Sequence, residues 1–241
     1  MSDAALDTLR SITTLEQRPS LERQVAASLR ELIVSGRLPE GTPLRHRELA
    51  GRLGVSPTPV RVVLGMLGRE GLVEIGRTGR AAVSRLTRED LDEVYAARLG
   101  LEGLAARLGA EAVGNEGVAR MRELLVQLEG FARTQAVEDY LAARWELHAT
   151  CYRATGRERL VGQVERLFWR GERYNRLLLA TPERFGRSLG HYGELVGACE
   201  ARDGEAAERV IHASIRWAVE LLGDTLPSEH DLTPTRAVPP P

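Results

Sequence analysis

The sequence contains no lysine, so all 33 of its basic residues are arginine. That absence excludes a Schiff-base lysine for pyridoxal phosphate and the lysine of a phosphate-binding P-loop. Cysteine is almost as scarce. Cys151 and Cys199 alone give no disulfide framework, and a reducing cytoplasm is the expected setting. No apolar run approaches the roughly 20 residues that a bilayer span needs, and the first residues lack the basic-then-apolar pattern of a signal segment. A membrane partner is therefore not expected.

What is present is unevenly distributed. The chain of 241 residues has a formal net charge of −1, yet Leu21 to Leu86 holds 11 arginines against 6 acids, and the remainder 22 against 28. A basic segment joined to an acidic one implies a small polyanion-binding module on a larger regulatory or assembly module.

Punctuation and periodicity give a mainly α chain with two folded parts. Residues 1–19 read as a flexible arm. Residues 20–86 read as a helix capped by Ser20, the turn "LPEGTPLR", a short helix "HRELAGRLG", and a third helix from Pro57 to about Glu70. The short strands "LVEI" and "AAVSRL" then flank the turn "GRTG", which completes the order of a winged helix-turn-helix. Residues 87–224 read as an all-α bundle of about six helices, at 88–112, 115–132, 135–154, 157–180, 182–201 and 203–223, and residues 225–241 as a disordered tail.

The stretch "GVSPTPVRVVL" carries two prolines where the third helix begins. Ser56 is a favourable N-cap, and first-turn N–H groups have no intrahelical partner for proline to remove. In a helix-turn-helix the start of this helix meets base edges, while flanking groups hold phosphates. The candidate DNA contacts are therefore Ser56, Thr58 and Arg61, with Arg45 and Arg47 from the preceding helix, and Arg77 and Arg80 around Gly79 in the hairpin turn. Arginine pairs bidentately with guanine, which makes Arg47 and Arg61 the choices for direct readout.

The run "IVSGRLPEGTPLRHRELAGRLGVSPTPVRVVLGMLGREGLVEI" resembles the N-terminal domain of the GntR family of bacterial transcription regulators. That resemblance covers residues 20–86 and implies operator contacts from Arg47, Ser56, Thr58 and Arg61. One departure is Pro57, where the family usually has arginine; its ring neither donates nor carries charge. Farther on, "TREDLDEVYAARLGLEGLAARLGA", "LHATCYRATG" and "GHYGELVGACEARDGEAAERVIHASI" resemble the FCD branch. This implies a helical domain that dimerises, binds an effector and commonly holds a divalent metal through one aspartate and three histidines.

The histidines match His148, His191 and His212, but Arg144 stands where the aspartate is expected. A carboxylate would offset a cation's charge and a guanidinium adds to it. Two outcomes stay open: a three-histidine site for Zn, Ni or Mn, or an anion site in which Arg144 binds the effector directly. Arg98 is the arginine that the resemblance places near the effector cavity, with a plain Arg98–Glu102 helix pair as the alternative. Tyr174 and Asn175 are further candidates to line a cavity.

The expected function is an effector-responsive regulator, a repressor, acting as a homodimer on a palindromic double-stranded DNA operator and sensing a small carboxylate. Two rivals are a helical-bundle metalloenzyme with a basic docking domain, and a DNA-binding protein whose bundle serves only to dimerise.

Overall fold

A computed structural model describes residues 21–179 and 182–228. Among them are nine helices and one two-stranded sheet. The first part comprises α1 (Leu21–Val34), α2 (His46–Leu53), α3 (Pro57–Arg69), β1 (Val73–Ile75) and β2 (Ala81–Val83). The second comprises α4 (Arg88–Ala112), α5 (Asn115–Thr134), α6 (Val137–Arg153), α7 (Glu158–Leu178), α8 (Pro182–Glu200) and α9 (Gly204–Gly223). The predicted arm 1–19 and cap Ser20 lie outside the described residues.

Each part has its own core, as expected of two separately patterned segments. In the first, Val25, Leu29 and Ile33 of α1 meet Val60, Val63, Leu64 and Leu67 of α3. Each such side chain contributes about 1.5–3 kcal/mol on burial. Gly54 ends α2 in the left-handed region at φ 66°, a conformation that glycine alone adopts without steric cost. Its N–H and that of Val55 both reach the Ala50 carbonyl, so three residues suffice to turn the chain into α3. β1 and β2 pair antiparallel with Val73 opposite Val83. Residues 41–44 bond to β2 through Gly41, Thr42 and Leu44, which thickens the wing at its base.

Ser56 takes the N-cap position with extended backbone, but its side chain makes no capping bond. This corrects the expected cap, and the prolines explain it. A cap oxygen accepts from the second or third N–H of the helix, and Pro59 removes the third. The Ser56 hydroxyl is thereby left exposed.

In the bundle, α4 is the central helix and packs against α6, α7, α8 and α9. Small residues allow that crowding. A Cβ on Gly109 would stand 2.2 Å from the Cys151 carbonyl oxygen, and one on Gly103 would stand 2.3 Å from His212 Nε2. The two cysteines, 48 residues apart, meet between α6 and α8 with sulfurs 3.6 Å apart. Both are free and buried. The predicted tail from 225 is corrected at its start: the Pro227 carbonyl accepts the Arg88 N–H at 3.1 Å, folding residues 225–228 back onto α4.

Candidate DNA interface and interior site

The start of α2, the start of α3 and the wing turn face the same side. Arg45, Arg47, Pro57, Gly79 and Arg80 line one cleft of about 760 Å³. Arg77 extends from the same turn, and Ser56, Thr58 and Arg61 from α3; all are exposed. Gly79 sits at φ 75°, and its N–H bonds the Gly76 carbonyl at 2.8 Å. That tight turn holds Arg77 and Arg80 out beyond the sheet.

Pairing separates these arginines from their neighbours. Arg30 forks onto Glu70 at 2.7 and 2.8 Å, Arg37 pairs with Glu31, and Arg52 with Glu48 at 3.2 Å. Among the described residues no ion pair engages Arg45, Arg47, Arg61, Arg77 or Arg80. Five uncompensated guanidinium groups on one face are suited to phosphate oxygens and guanine edges.

The second candidate site lies inside the bundle. Arg98 donates to Glu102 at 2.5 Å and stacks on Tyr95, 4.6 Å from the ring centroid. The helix-pair alternative for Arg98 is therefore present, fully buried. Arg144 donates to Glu172 at 2.7 Å and lies 4.1 Å from the Phe168 centroid. Burial opposes the charge on Arg98, and Glu102 more than restores it, so its pKa is raised. Two arginines face two glutamates, and the interior is charge-balanced as it stands. Arg98 Nη1 and Arg144 Nε remain buried without a partner.

His148, His191 and His212 are the donors that a divalent metal would use. Tyr152 gives its proton to Glu102 at 3.2 Å, so its oxygen accepts the His148 Nδ1 proton at 3.0 Å, leaving Nε2 with a lone pair. Burial, then Arg144 and Arg98, push the pKa of His148 well below 6.5. His212 instead spends its Nε2 proton on the Leu99 carbonyl at 2.9 Å. The His191 ring lies against Trp217, 5.7 Å between centroids. Among the described residues no group of three or more His, Cys, Asp or Glu stands together to hold a metal. The His191 Nδ1 is buried without a partner, and the two arginines of the interior are each paired with a glutamate.

Tyr174 and Asn175 are both buried. Tyr174 donates to Asp90 at 2.7 Å and Asn175 to Glu172 at 3.3 Å. Sequence reasoning missed Glu172, Phe168, Tyr95 and Tyr152. Gly171 to Asn175 are all buried in succession, so helical periodicity gives no sign of which faces inward.

A winged helix-turn-helix with free arginines, followed by a helical bundle with a buried polar interior, defines a DNA-binding protein with an attached sensory or assembly domain. Residues 21–83 match the bacterial regulatory proteins of the gntR family, and residues 93–216 match the FCD domain. The chain belongs to the FCD branch of that family. Escherichia coli (strain K12) McbR, an HTH-type transcriptional regulator, is 25% identical over 205 residues, 84% of this chain and 93% of that protein. A gluconate operon transcriptional repressor of Bacillus licheniformis is 30% identical over 138 residues, 57% of this chain and 56% of its own length. Two further curated relatives are matched over only 40% and 45% of their lengths; the second of these is the Bacillus subtilis regulator YdhC.

Among solved structures, E. coli McbR/YncC superposes with a TM-score of 0.74 at 24% identity, covering 86% of this chain and 99% of that one. A GntR-type chain from Rhodococcus sp. RHA1 gives 0.70 at 22%, covering 85% and 98%. These likenesses show the fold. The family is one of regulators and not of enzymes, which sets aside the metalloenzyme reading. No helix among the described residues is long and apolar enough to cross a membrane.

Proposed function

We propose that this protein is an effector-responsive transcription regulator, a cytoplasmic repressor that binds a palindromic operator as a homodimer. The observation that carries the reading is the set of five unpaired arginines shared by α2, α3 and the wing. Arg47 and Arg61 read bases, Arg45, Arg77 and Arg80 hold the backbone, and the uncapped Ser56 with Thr58 adds hydroxyl contacts. The naming of relatives as repressors supports the sign of control.

The effector is a small organic acid taken up inside the bundle without a metal. Its carboxylate accepts from Arg98 Nη1 and Arg144 Nε, the two buried donors that lack a partner. A charge-assisted pair of this kind discriminates carboxylates from neutral ligands. Coupling of about 1–3 kcal/mol between such a site and the operator is enough to switch binding.

The test is a gel shift with DNA selected from a random pool by the protein itself. Arg61→Ala is expected to abolish retention, and salt-insensitive binding by the wild type overturns the assignment. A screen of small carboxylates by thermal shift tests the effector. Stabilisation is expected for at least one and should be lost in Arg98→Met; no response to any acid would leave the bundle with assembly alone.

A further inference from the structure

A second cavity lies outside the bundle interior, between the two parts of the chain. It is a cleft of about 560 Å³ whose walls come from α1 on one side and from α6 and α7 on the other. Ala27 and Val34 face Leu141, Ala142 and Trp169 across it, so the walls are largely apolar and one is aromatic. Its size falls within the roughly 300–1,000 Å³ of small-molecule sites, and an apolar cavity at a domain interface is a usual place for one.

Seven polar side chains also border the cleft, and two of them, Glu172 and Arg176, hold an unpartnered buried atom. Glu172, 1% exposed, uses Oε2 for Arg144 and Asn175, while Oε1 is buried without a partner. Arg176 donates through Nη1 to Glu138 at 2.8 Å, while its Nε is buried and unpaired. A buried polar atom left unpaired is destabilising, so a ligand that supplies its partner gains selectivity. The rim charges cancel, because Arg37 pairs with Glu31 and Arg176 with Glu138.

We infer that this interdomain cleft is a ligand site for a small aromatic molecule bearing one hydroxyl. The ring packs between Trp169 and the alanines, the hydroxyl donates to Glu172 Oε1, and its oxygen accepts from Arg176 Nε. A carboxylate at the same point meets the Glu172 charge and is rejected, so this site is distinct in its chemistry from the interior acid site. One side chain joins them, since the Glu172 carboxylate holds Arg144 with its other oxygen. Occupancy of the cleft also spans α1 of the DNA-binding part, which makes the ligand sensitive to how the two parts sit together.

The test uses the full chain and titration calorimetry with phenol, anisole and benzoate. Phenol is expected to bind, with anisole and benzoate weaker by about tenfold or more, the equivalent of one unmade bond to a charged group. Ala27 and Ala142 are exposed on facing walls, so Ala142→Phe fills the cleft without touching the core and should abolish binding. Arg176→Met, which leaves the buried Arg144–Glu172 pair intact, should weaken phenol and anisole alike. Equal affinity for phenol and anisole in the wild type, preference for benzoate, or binding unchanged by Ala142→Phe would each overturn the proposal. So would a change of sedimentation on Ala142→Phe with no probe heat in the wild type, which would assign the cleft to a second copy of the chain.

Discussion

Arg144 is a cation that the fold buries and then neutralises. Its partner Glu172 sits 2.7 Å away with a side-chain exposure of 1%, where a lone carboxylate is poorly solvated. Removing one member strands the other, at a cost of about 3–5 kcal/mol. Arg144→Ala is therefore expected to lower the melting temperature sharply, and Arg144→Met combined with Glu172→Leu to recover most of the loss, as calorimetry would measure. His148 makes a second prediction at this scale. Burial, Arg144 and Arg98 depress its folded-state pKa below 6.5, so the unfolded chain binds the proton more readily. Its contribution is then complete above about pH 6.5 and is lost as pH falls below that value. Denaturant titrations between about pH 7.5 and 5.5 should show stability decreasing, with a shallower decrease in His148→Gln. The groups facing His148 from its neighbours are Arg98, Tyr152 and Tyr192, and the arginines stay charged throughout.

At the scale of elements, α7 decides how the two parts of the molecule are joined. Arg173 donates twice to Ser84, to the side chain and the carbonyl, each at 2.7 Å, and Ser84 donates in turn to the Gly71 carbonyl at 2.8 Å. Tyr174 reaches Asp90 at the start of α4, and Arg170 pairs with the same Asp90. Between them on the helix, Glu172 binds Arg144 and Asn175 binds Glu172. One turn of α7 thus grips the linker with some side chains and the polar interior with others. Arg173→Ala is expected to split a single calorimetric unfolding transition into two, one for each core, without changing far-UV circular dichroism at 25 °C. A single unchanged transition would place the coupling elsewhere.

For the whole molecule, net charge conceals a polarised surface. The uncompensated arginines of one face govern DNA affinity through counterion release, with a slope of about −0.9 per phosphate neutralised. Arg45→Ala and Arg80→Ala are each expected to make the plot of log affinity against log salt shallower by about 0.9. Arg52→Ala should leave the slope unchanged, because Arg52 is held by Glu48 within α2. Fluorescence anisotropy across a salt series makes the measurement. An equal effect of all three would mean that pairing does not decide which arginines contact phosphate.

Much of this was legible in one dimension. The order of elements, the hairpin, the candidacy of Arg47 and Arg61, and the domain junction near residue 86 follow from turn residues, helical spacing and the basic surplus, all of which are local properties. The uncapped Ser56 was a local consequence too, since Pro59 sits where the cap's donor would be.

The interior was not legible, because its partners come from distant segments. His148, His191 and His212 stood at suggestive places along the chain, yet spacing does not fix which ring nitrogen meets a carbonyl or a hydroxyl. Only packing turned His212 toward Leu99 and brought Glu172 to Arg144 across 28 residues. Two cysteines too few for a framework became neighbours for the same reason. The sequence by itself determined which elements form and where basic residues concentrate, since those depend on short-range spacing. The tertiary structure alone decided the buried ion pairs, the interdomain cleft and the grip of α7, since each requires side chains from separate helices to be desolvated together.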